Sequence, residues 1–242
     1  HSCKVMTAAA PPPAAILEAM QKLGFQVTHV YGLTEVYGPC VVCAWDPEWN
    51  NLSIKEQAII KSRQGVSYLV QEGIRVVNQE NDFDVPRDGK TIGEVLLRGN
   101  ITMKGYLKNP VATEEAFSGG WFHTGDLGVM FENGYVQLKD RAKDIIISGG
   151  ENISSIEIEN CIYDLEQVAA CGVVAMKDKK WGEVPCVFVE LKPEHTLSKE
   201  QIITHCRSNL AGFKVPKEVI FQEIPKTSTG KIQKVELRKL IT

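Results

Sequence analysis

The spacing of apolar positions predicts alternating helix and strand over about the first 65 residues. Prolines at positions 11–13 precede an apolar run over residues 14–20, and Gly24 follows it, which is typical of a helix. Residues 25–30 alternate between apolar and polar side chains, as a strand does. Ser53 followed three residues later by Glu56 predicts a capping box at the start of a short helix. This part of the chain therefore has an α/β pattern.

The pattern changes between residues 66 and 139, where short β-like runs are separated by turns. The turns include Arg87-Asp88-Gly89 and Glu132-Asn133-Gly134. Runs separated in this way are typical of hairpins, so the segment predicts a small antiparallel sheet or barrel. The predicted strands are residues 66–70, 74–77, 93–98 and 134–138.

After residue 140 the pattern changes again, and strands alternate with helices. Ser154 or Ser155, with Glu157, opens one helix that runs to about residue 165, and Ser198 opens another that ends near residue 210. A last helix-like run covers residues 232–240. The predicted strands are residues 145–147, 168–176, 185–191 and 219–224. The segment predicts a compact α+β unit of about 100 residues, with its boundary near residues 140–143.

The composition is that of an ordinary globular protein, and it excludes several classes of partner. Of 242 residues, 43% are hydrophobic and 24% charged, and the formal net charge is −3 without a long basic block, so nucleic acid is not expected as a main partner. No apolar run approaches the roughly 20 residues that cross a bilayer, and no signal-peptide pattern stands at the start. Because the chain begins at His1 within apparently folded sequence, we expect the rest of the same polypeptide upstream.

The cysteines indicate a reducing compartment. There are seven, an odd number, and most lie in apolar runs, which suits buried free thiols. Cys40 and Cys43 have the spacing of a metal or redox pair. They lack a second pair or a histidine at zinc-finger spacing, so a metal site here is only a minor alternative.

A lysine near the C-terminal end, Lys231, is the first candidate for chemistry. It follows the polar turn of residues 225–230, which includes Thr229 and Gly230, and it precedes a helix-like run. A lysine at the tip of such a turn is a mobile charge suited to an oxyanion or phosphate. The alternative is an ordinary solvated lysine.

A second candidate lies in residues 31–35, directly after a predicted strand. An aromatic residue and a glycine are followed by Thr34 and Glu35, which favours a tight turn from strand to loop. Such a turn can stack a flat ring, offer a donor to phosphate and hold a divalent cation. The alternative is an ordinary turn with a capping threonine.

Three further positions suit a nucleotide or another ligand. Asp126 follows a glycine and can accept hydrogen bonds from vicinal ribose hydroxyls. Arg141 can make a forked contact to hydroxyls or phosphate. Gly149 and Gly150 let a backbone approach a ligand closely. Each also has an alternative interpretation. Asp126 can be interpreted as an ordinary turn aspartate, Arg141 as part of a solvent-exposed link between domains, and the two glycines as a simple turn.

Taken in order, these motifs resemble the second half of an adenylate-forming enzyme. That superfamily contains the acyl-CoA synthetases, the adenylation domains of peptide synthetases and firefly luciferase. The resemblance covers nearly the whole chain, through residues 7–11, 31–35, 93–95, 104–106, 121–126, 140–152 and 229–232.

The resemblance implies a multi-domain α/β and α+β fold. Residues 1–65 would end a large N-terminal α/β core, and residues 66–139 would form a small β-barrel-like subdomain. Residues 140–143 would be a hinge, with Lys143 as its pivot. Residues 144–242 would form a compact α+β C-terminal lid domain.

The resemblance also implies a role for each candidate residue. Thr34 would contact the α-phosphate of ATP, Glu35 would hold Mg²⁺, and Lys231 would bridge the carboxylate and α-phosphate oxygens, making these three the catalytic residues. Asp126 and Arg141 would bind the ribose, with Tyr31 against the adenine. The implied nucleotide-binding positions are Ala9, Ala10, Pro11, Tyr31, Gly32, Thr34, Asp126, Arg141 and Lys231. Coenzyme A would pass Ser148, Gly149 and Gly150, and one wall of the acyl pocket would be His29, Val30, Gly32, Val36 and Gly38.

The function implied is an ATP-dependent carboxylate–CoA ligase, which forms an acyl-adenylate and then a thioester. The sequence is most similar to plant acyl-activating enzymes of the benzoate, cinnamate or butyrate type, in phenylpropanoid or fatty acid metabolism. The partners would be ATP, CoA and an aromatic or short- to medium-chain acid. The alternatives are a peptide-synthetase-type adenylation domain and an inactive AMP- or CoA-binding fragment.

The chain departs from the family pattern in three places. Lys234 stands where the family often has arginine, and Ile147 stands where luciferases carry lysine. The family's phosphate loop is absent and is expected upstream of His1. The chain ends in Lys239-Leu240-Ile241-Thr242, which is not a Ser-Lys-Leu address, so the expected location is peroxisomal or cytoplasmic.

Overall fold

The computed structural model describes residues 3–8, 12–228 and 230–241. The chain divides into two compact units, His1–Ala142 and Lys143–Thr242. Each unit has its own clusters of buried apolar side chains.

The first unit begins with a mixed four-stranded sheet. Its strand β1 pairs in parallel with β2, and the pairs β2–β3 and β3–β4 are antiparallel. Helices α1 and α2 pack together beside β2, around the fully buried Leu17 and Ala58. The elements are β1 (Cys3–Thr7), α1 (Ala14–Lys22), β2 (Phe25–Leu33), β3 (Gly38–Val42), α2 (Ile54–Lys61) and β4 (Val66–Ser67).

Local sequence signals account for both helices of this sheet. Helix α1 starts directly after Pro13, as predicted. Helix α2 has the predicted capping box: the Glu56 N–H donates to Ser53 Oγ (3.3 Å), and the Ser53 N–H donates to Glu56 Oε2 (2.9 Å). Strand β4 is shorter than predicted, because residues 68–70 leave the sheet and Leu69 is fully exposed.

A second sheet of the first unit consists of four antiparallel strands in chain order. They are β5 (Gln71–Val77), β6 (Gly93–Gly99), β7 (Phe122–Met130) and β8 (Val136–Arg141), and a short helix α3 (Pro110–Ala116) lies between β6 and β7. The segment predicted to form a small antiparallel sheet or barrel thus contains an antiparallel sheet, and within the described residues β5 and β8 do not pair. Its buried side chains share one core with Tyr31 and Cys40 of the first sheet and with Val36, which lies between β2 and β3.

The second unit is the predicted α+β domain, with one sheet covered on both faces. The sheet order is β10-β9-β12-β11, and β13 pairs in parallel with β12. Helices α4 and α5 pack on one face with Val173 and Val187, and α6 packs on the other with Val174 and Phe188. The elements are β9 (Ile146–Ser148), β10 (Glu151–Ile153), α4 (Ser155–Tyr163), β11 (Val168–Asp178), β12 (Gly182–Leu191), α5 (Lys199–Asn209), β13 (Glu218–Phe221) and α6 (Lys234–Lys239).

The helix starts of this unit follow the predicted caps. Of the two serines considered for α4, Ser154 is the cap, because its Oγ accepts from the Glu157 N–H (3.1 Å). Helix α5 has a full capping box, with Ser198 and Gln201 in the two roles.

The cysteines of the chain are free thiols. All seven cysteines are free, and six of them are buried. Burial raises the pKa of Cys40 to about 12 and that of Cys43 to about 11, so neither is a ready thiolate. None of the helices described has the length and apolar character that a membrane span requires.

Candidate functional site

In the first unit, three candidate residues from distant segments meet. The Tyr31 hydroxyl donates to Asp126 Oδ2 (2.7 Å), and Arg141 Nε lies 3.3 Å from Asp126 Oδ1. Asp126 and Arg141 are also direct partners in the β7–β8 ladder. The Asp126 side chain is 6% exposed and that of Arg141 is 40% exposed. The pair therefore places a buried carboxylate beneath a guanidinium that reaches solvent.

Burial fixes the protonation of the Tyr31 phenol. It raises the pKa of Tyr31 well above its usual range, and the negative charge of Asp126 raises it further. The phenol therefore remains protonated and donates its hydrogen to the Asp126 carboxyl group.

The turn of Thr34 and Glu35 lies at the end of β2. Residues Thr34–Val36 form a single 3-10 turn, which ends at Tyr37 in the left-handed region (φ 61°). Thr34 is exposed. The turn depends on Gly32, because a Cβ there would lie only 1.7 Å from the carbonyl oxygen of Gly38.

Contacts from a neighbouring segment hold Glu35. Its carbonyl oxygen accepts from the Met103 N–H (2.7 Å), and its Oε1 accepts from the Tyr106 hydroxyl (3.2 Å). Among the described residues no group of three or more His, Cys, Asp or Glu side chains could form a metal site. Mg²⁺ commonly takes one or two carboxylates and completes its shell with substrate phosphates and water, so a single half-buried Glu35 fits such an ion.

The five residues predicted for the acyl pocket differ in exposure. His29, Val30 and Val36 are buried, with at most 2% exposed, whereas Gly32 and Gly38 are half-buried. Burial lowers the pKa of His29, although backbone groups of residues 61–63 near its ring oppose that shift. The imidazole is therefore neutral, and its Nδ1 has no hydrogen-bond partner in the part of the chain described.

In the second unit, the paired glycines form the turn between β9 and β10. Both have positive φ, 61° at Gly149 and 88° at Gly150, a conformation that favours glycine. The Gly149 N–H donates to the carbonyl of Trp181 (2.8 Å), and a Cβ at Gly149 would lie 2.9 Å from the Trp181 ring. Ser148, the residue before the turn, is buried.

Lys231 lies at the base of its turn rather than at the tip that the sequence predicted. The Thr227 N–H donates to the carbonyl of Lys231 (2.8 Å), and the Lys231 N–H donates to Thr227 Oγ1 (3.0 Å). Lys226 and Ile232 flank the turn as an antiparallel bridge. The backbone of Lys231 is thus fixed on both sides, and its side chain is half-buried.

Two ion pairs after Lys231 were not predicted. Lys234 Nζ lies 2.8 Å from Glu159 Oε1 and donates to Ser155 Oγ, which ties the start of α6 to α4. Arg238 pairs with Asp144, and it also donates to the carbonyl of Lys143 (3.5 Å). In the sequence, Lys234 stands where the family often has an arginine. In the structure its charge forms an ion pair with Glu159 inside the second unit.

Four residues of the predicted motifs lie outside the described residues. They are Ala9, Ala10 and Pro11, predicted to bind the nucleotide, and Thr229 of the turn before Lys231.

Two family models match the chain. The model for the AMP-binding enzyme matches residues 1–107, and the model for the AMP-binding enzyme C-terminal domain matches residues 157–231.

Individual proteins match across nearly the whole chain. The chain is 54% identical to an acetate–CoA ligase of Humulus lupulus and 49% identical to a peroxisomal benzoate–CoA ligase of Arabidopsis thaliana; each match covers 98% of the chain and 43% of the relative. A solved structure, the anthranilate CoA ligase AuaEII in complex with anthranoyl-AMP, is 28% identical, with a TM-score of 0.85 over 99% of the chain and 44% of that protein. The chain thus spans less than half the length of these proteins.

Proposed function

Because the chain belongs to the AMP-binding, adenylate-forming enzymes, we propose that it carries the second half of the active site of an ATP-dependent carboxylate–CoA ligase. The observation that supports this most is the meeting of Tyr31 with Asp126, 95 positions further along the sequence, and of Asp126 with Arg141. Such a cluster supplies a charged acceptor for two ribose hydroxyls and a cation beside it.

In the first half-reaction a carboxylate attacks the α-phosphorus of ATP, and pyrophosphate leaves. Asp126 and Arg141 hold the ribose, and Tyr31 orients Asp126 through its hydroxyl and lies next to the adenine. Thr34, exposed at the turn, donates to the α-phosphate. Positioning of this kind lowers the activation barrier, because the bound reactants have already lost the translational and rotational entropy that their encounter costs.

Two anions must approach each other in this step, so positive charge is needed. Glu35 would hold Mg²⁺, which would supply part of this charge. Lys231 supplies the rest by donating to the carboxylate and α-phosphate oxygens as charge builds up in the transition state.

In the second half-reaction the thiol of coenzyme A attacks the acyl carbon of the adenylate, a thioester forms and AMP departs. Ser148, Gly149 and Gly150 line the path of the pantetheine arm, because the two glycines expose backbone without side chains. The unit that carries Lys231 pivots near Lys143 between the two steps, so that these two sets of residues act in turn. The pivot falls within residues 140–143, between the β-rich subdomain of residues 66–139 and the lid domain.

The acid is an aromatic one of the benzoate or cinnamate kind, or a short- to medium-chain one. The relatives support both, since one of them is an acetate–CoA ligase and another a benzoate–CoA ligase. Of the predicted pocket residues, Gly32 and Gly38 remain partly accessible in this chain, whereas His29, Val30 and Val36 are buried. The protein acts in peroxisomes or in the cytoplasm, and the name of the benzoate relative supports the first.

A screen of acids tests this function. The protein as its source produces it is incubated with ATP, Mg²⁺, CoA and one acid at a time, and AMP is measured. The expected result is AMP release that requires the acid, together with an acyl-CoA product. AMP release that requires a carrier-protein thiol instead of CoA would favour the peptide-synthetase type, and binding of AMP without turnover of any acid would favour an inactive fragment.

A further inference from the structure

Strand β7 has a bulge at the place where the candidate ribose carboxylate lies. Glu94 of β6 pairs with Leu127 of β7, and Leu96 pairs with His123, so the single residue between them on β6 faces three on β7. Those three are Thr124, Gly125 and Asp126. Bulges of this kind redirect a side chain and are over-represented next to active sites.

A bulge removes backbone groups from the ladder, and side chains replace the lost partners here. The Gly125 N–H donates to Glu94 Oε1 (3.0 Å), and the Asp126 N–H donates to Thr124 Oγ1 (3.1 Å). Thr124 in turn donates to the carbonyl of Val95 (2.7 Å). The backbone on both sides of the Gly125–Asp126 peptide is thus held by side chains.

Glu94 makes a second contact that fixes its own orientation. Its Oε2 lies 3.0 Å from His123 Nδ1, while His123 Nε2 lies 3.2 Å from the carbonyl oxygen of Ser118. The Glu94 and His123 side chains are only 13% and 20% exposed. Because both oxygens of the carboxylate are engaged, Glu94 cannot rotate without losing a contact.

We propose that Glu94, braced by His123, is a positioning residue that holds the β7 bulge and so sets the orientation of Asp126 toward the nucleotide. This inference rests on the proposed function, in which Asp126 binds the ribose. Gly125 has a positive φ of 68°, which glycine adopts without strain but as one of many backbone conformations open to it. Glu94 favours this one by accepting from the Gly125 N–H.

The substitutions Glu94→Ala and Glu94→Gln separate positioning from a merely structural role. Alanine removes both contacts. Glutamine keeps an acceptor for the Gly125 N–H and offers its NH₂ to a neutral His123, whose other nitrogen can still donate to Ser118. A matched control is Glu72→Ala, which removes an exposed glutamate of the same sheet that pairs with Arg98.

Acid-dependent exchange of pyrophosphate into ATP, measured in the source protein, gives KM for ATP and for the acid. For Glu94→Ala we expect KM for ATP to rise about tenfold, while KM for the acid stays within about twofold. Glu94→Gln and Glu72→Ala should stay close to the unaltered protein. His123→Ala should have a smaller effect than Glu94→Ala, because the contact of Glu94 with Gly125 remains.

Three results would overturn the inference. One is an unchanged KM for ATP in Glu94→Ala, and another is an equal rise in both KM values together with a lowered unfolding midpoint. The third is a Glu94→Gln protein as defective as Glu94→Ala, since position alone would then not explain the effect. If the unaltered protein shows no exchange with any acid, the proposed function fails and the inference falls with it.

Discussion

The two units present their candidate residues in opposite ways. In the first, residues from β2, β7 and β8 meet around Asp126 and hold one another in place. In the second, the glycine turn and Lys231 lie in two separate short turns; Trp181 accepts from the Gly149 N–H, and Thr227 of the same turn bonds to the backbone of Lys231. A buried, mutually bonded cluster is pre-organised for binding, whereas residues on separate turns suit groups that act at different stages.

This difference predicts different effects of substitution. Loss of a residue from the first cluster should alter nucleotide affinity and stability together, because the same contacts serve both. Loss of Lys231 should mainly affect chemistry.

The largest effect is expected for Lys231→Ala. Acid-dependent pyrophosphate release should fall by about 10²–10³, because a donor to the transition state is lost. The attack of CoA on supplied acyl-adenylate should be largely intact. Both half-reactions can be followed separately by pyrophosphate and AMP release, with Lys239→Ala, which removes an exposed lysine of the same unit, as control. Equal loss of both half-reactions would contradict the role of Lys231.

Asp126→Ala should have the next largest effect, with KM for ATP raised about tenfold to a hundredfold. The free energy of unfolding should also fall by about 1–3 kcal/mol, because the buried Tyr31 hydroxyl loses its acceptor. Adding Tyr31→Phe should recover part of that stability without restoring the affinity. Asp84→Ala, at an exposed ion pair of the same unit, is the control. An unchanged free energy of unfolding together with a raised KM for ATP in Asp126→Ala would show that Asp126 does not stabilise the fold through Tyr31.

Lys234→Met tests whether the second unit depends on its internal ion pair. We expect the free energy of unfolding to fall by about 1–3 kcal/mol, because Glu159 loses a cation in a largely buried place. Adding Glu159→Gln, which keeps an acceptor for the Val173 N–H, should reverse most of this loss. Chemical denaturation of the three proteins measures it. If Lys234→Met instead lowers only pyrophosphate release, Lys234 acts on the substrate.

The smallest effect concerns alkaline pH. Because the folded state raises the pKa of Tyr31, its contribution to stability is fully present below about pH 10, where the unfolded phenol ionises, and is lost as pH rises toward the folded pKa. The slope from one such group is at most about 1.4 kcal/mol per pH unit. Tyr31→Phe should therefore make the fall in unfolding free energy above about pH 10 shallower, whereas Tyr37→Phe, at a 90% exposed phenol, should not. An unchanged slope in Tyr31→Phe would contradict the assignment.

The sequence predicted those elements whose signals are local. The capping boxes at Ser53 and Ser198 need only residues three positions apart, and both are present. Helix α3 also had such a signal, since the Asn109 side chain caps it and Pro110 opens it, but no helix was predicted there. Strand β7 was missed because Gly125 and Gly128 interrupt its apolar pattern.

Only part of the candidate site could be predicted from the sequence, for a physical reason. Tyr31, Asp126 and Arg141 could each be named from their residue type and neighbours, but their contacts depend on the pairing of β7 with β8 and on the shared core of the two sheets. The role of Lys234 depends on Glu159, which is 75 positions away in the sequence and carries no signal of its own. Register and burial decide such partners, and neither is encoded in a short motif.

The position of Trp181 against Gly149 has a practical consequence. The chain has four tryptophans, and Trp181 is the only one after residue 142. The second unit therefore carries a single tryptophan fluorophore. Its ring would lie 2.9 Å from a Cβ atom placed at Gly149, so it lies directly against the glycine turn. Its emission reports on the environment of the glycine turn, so events at that turn can be followed spectroscopically in a protein whose first-unit tryptophans are replaced, without an added label.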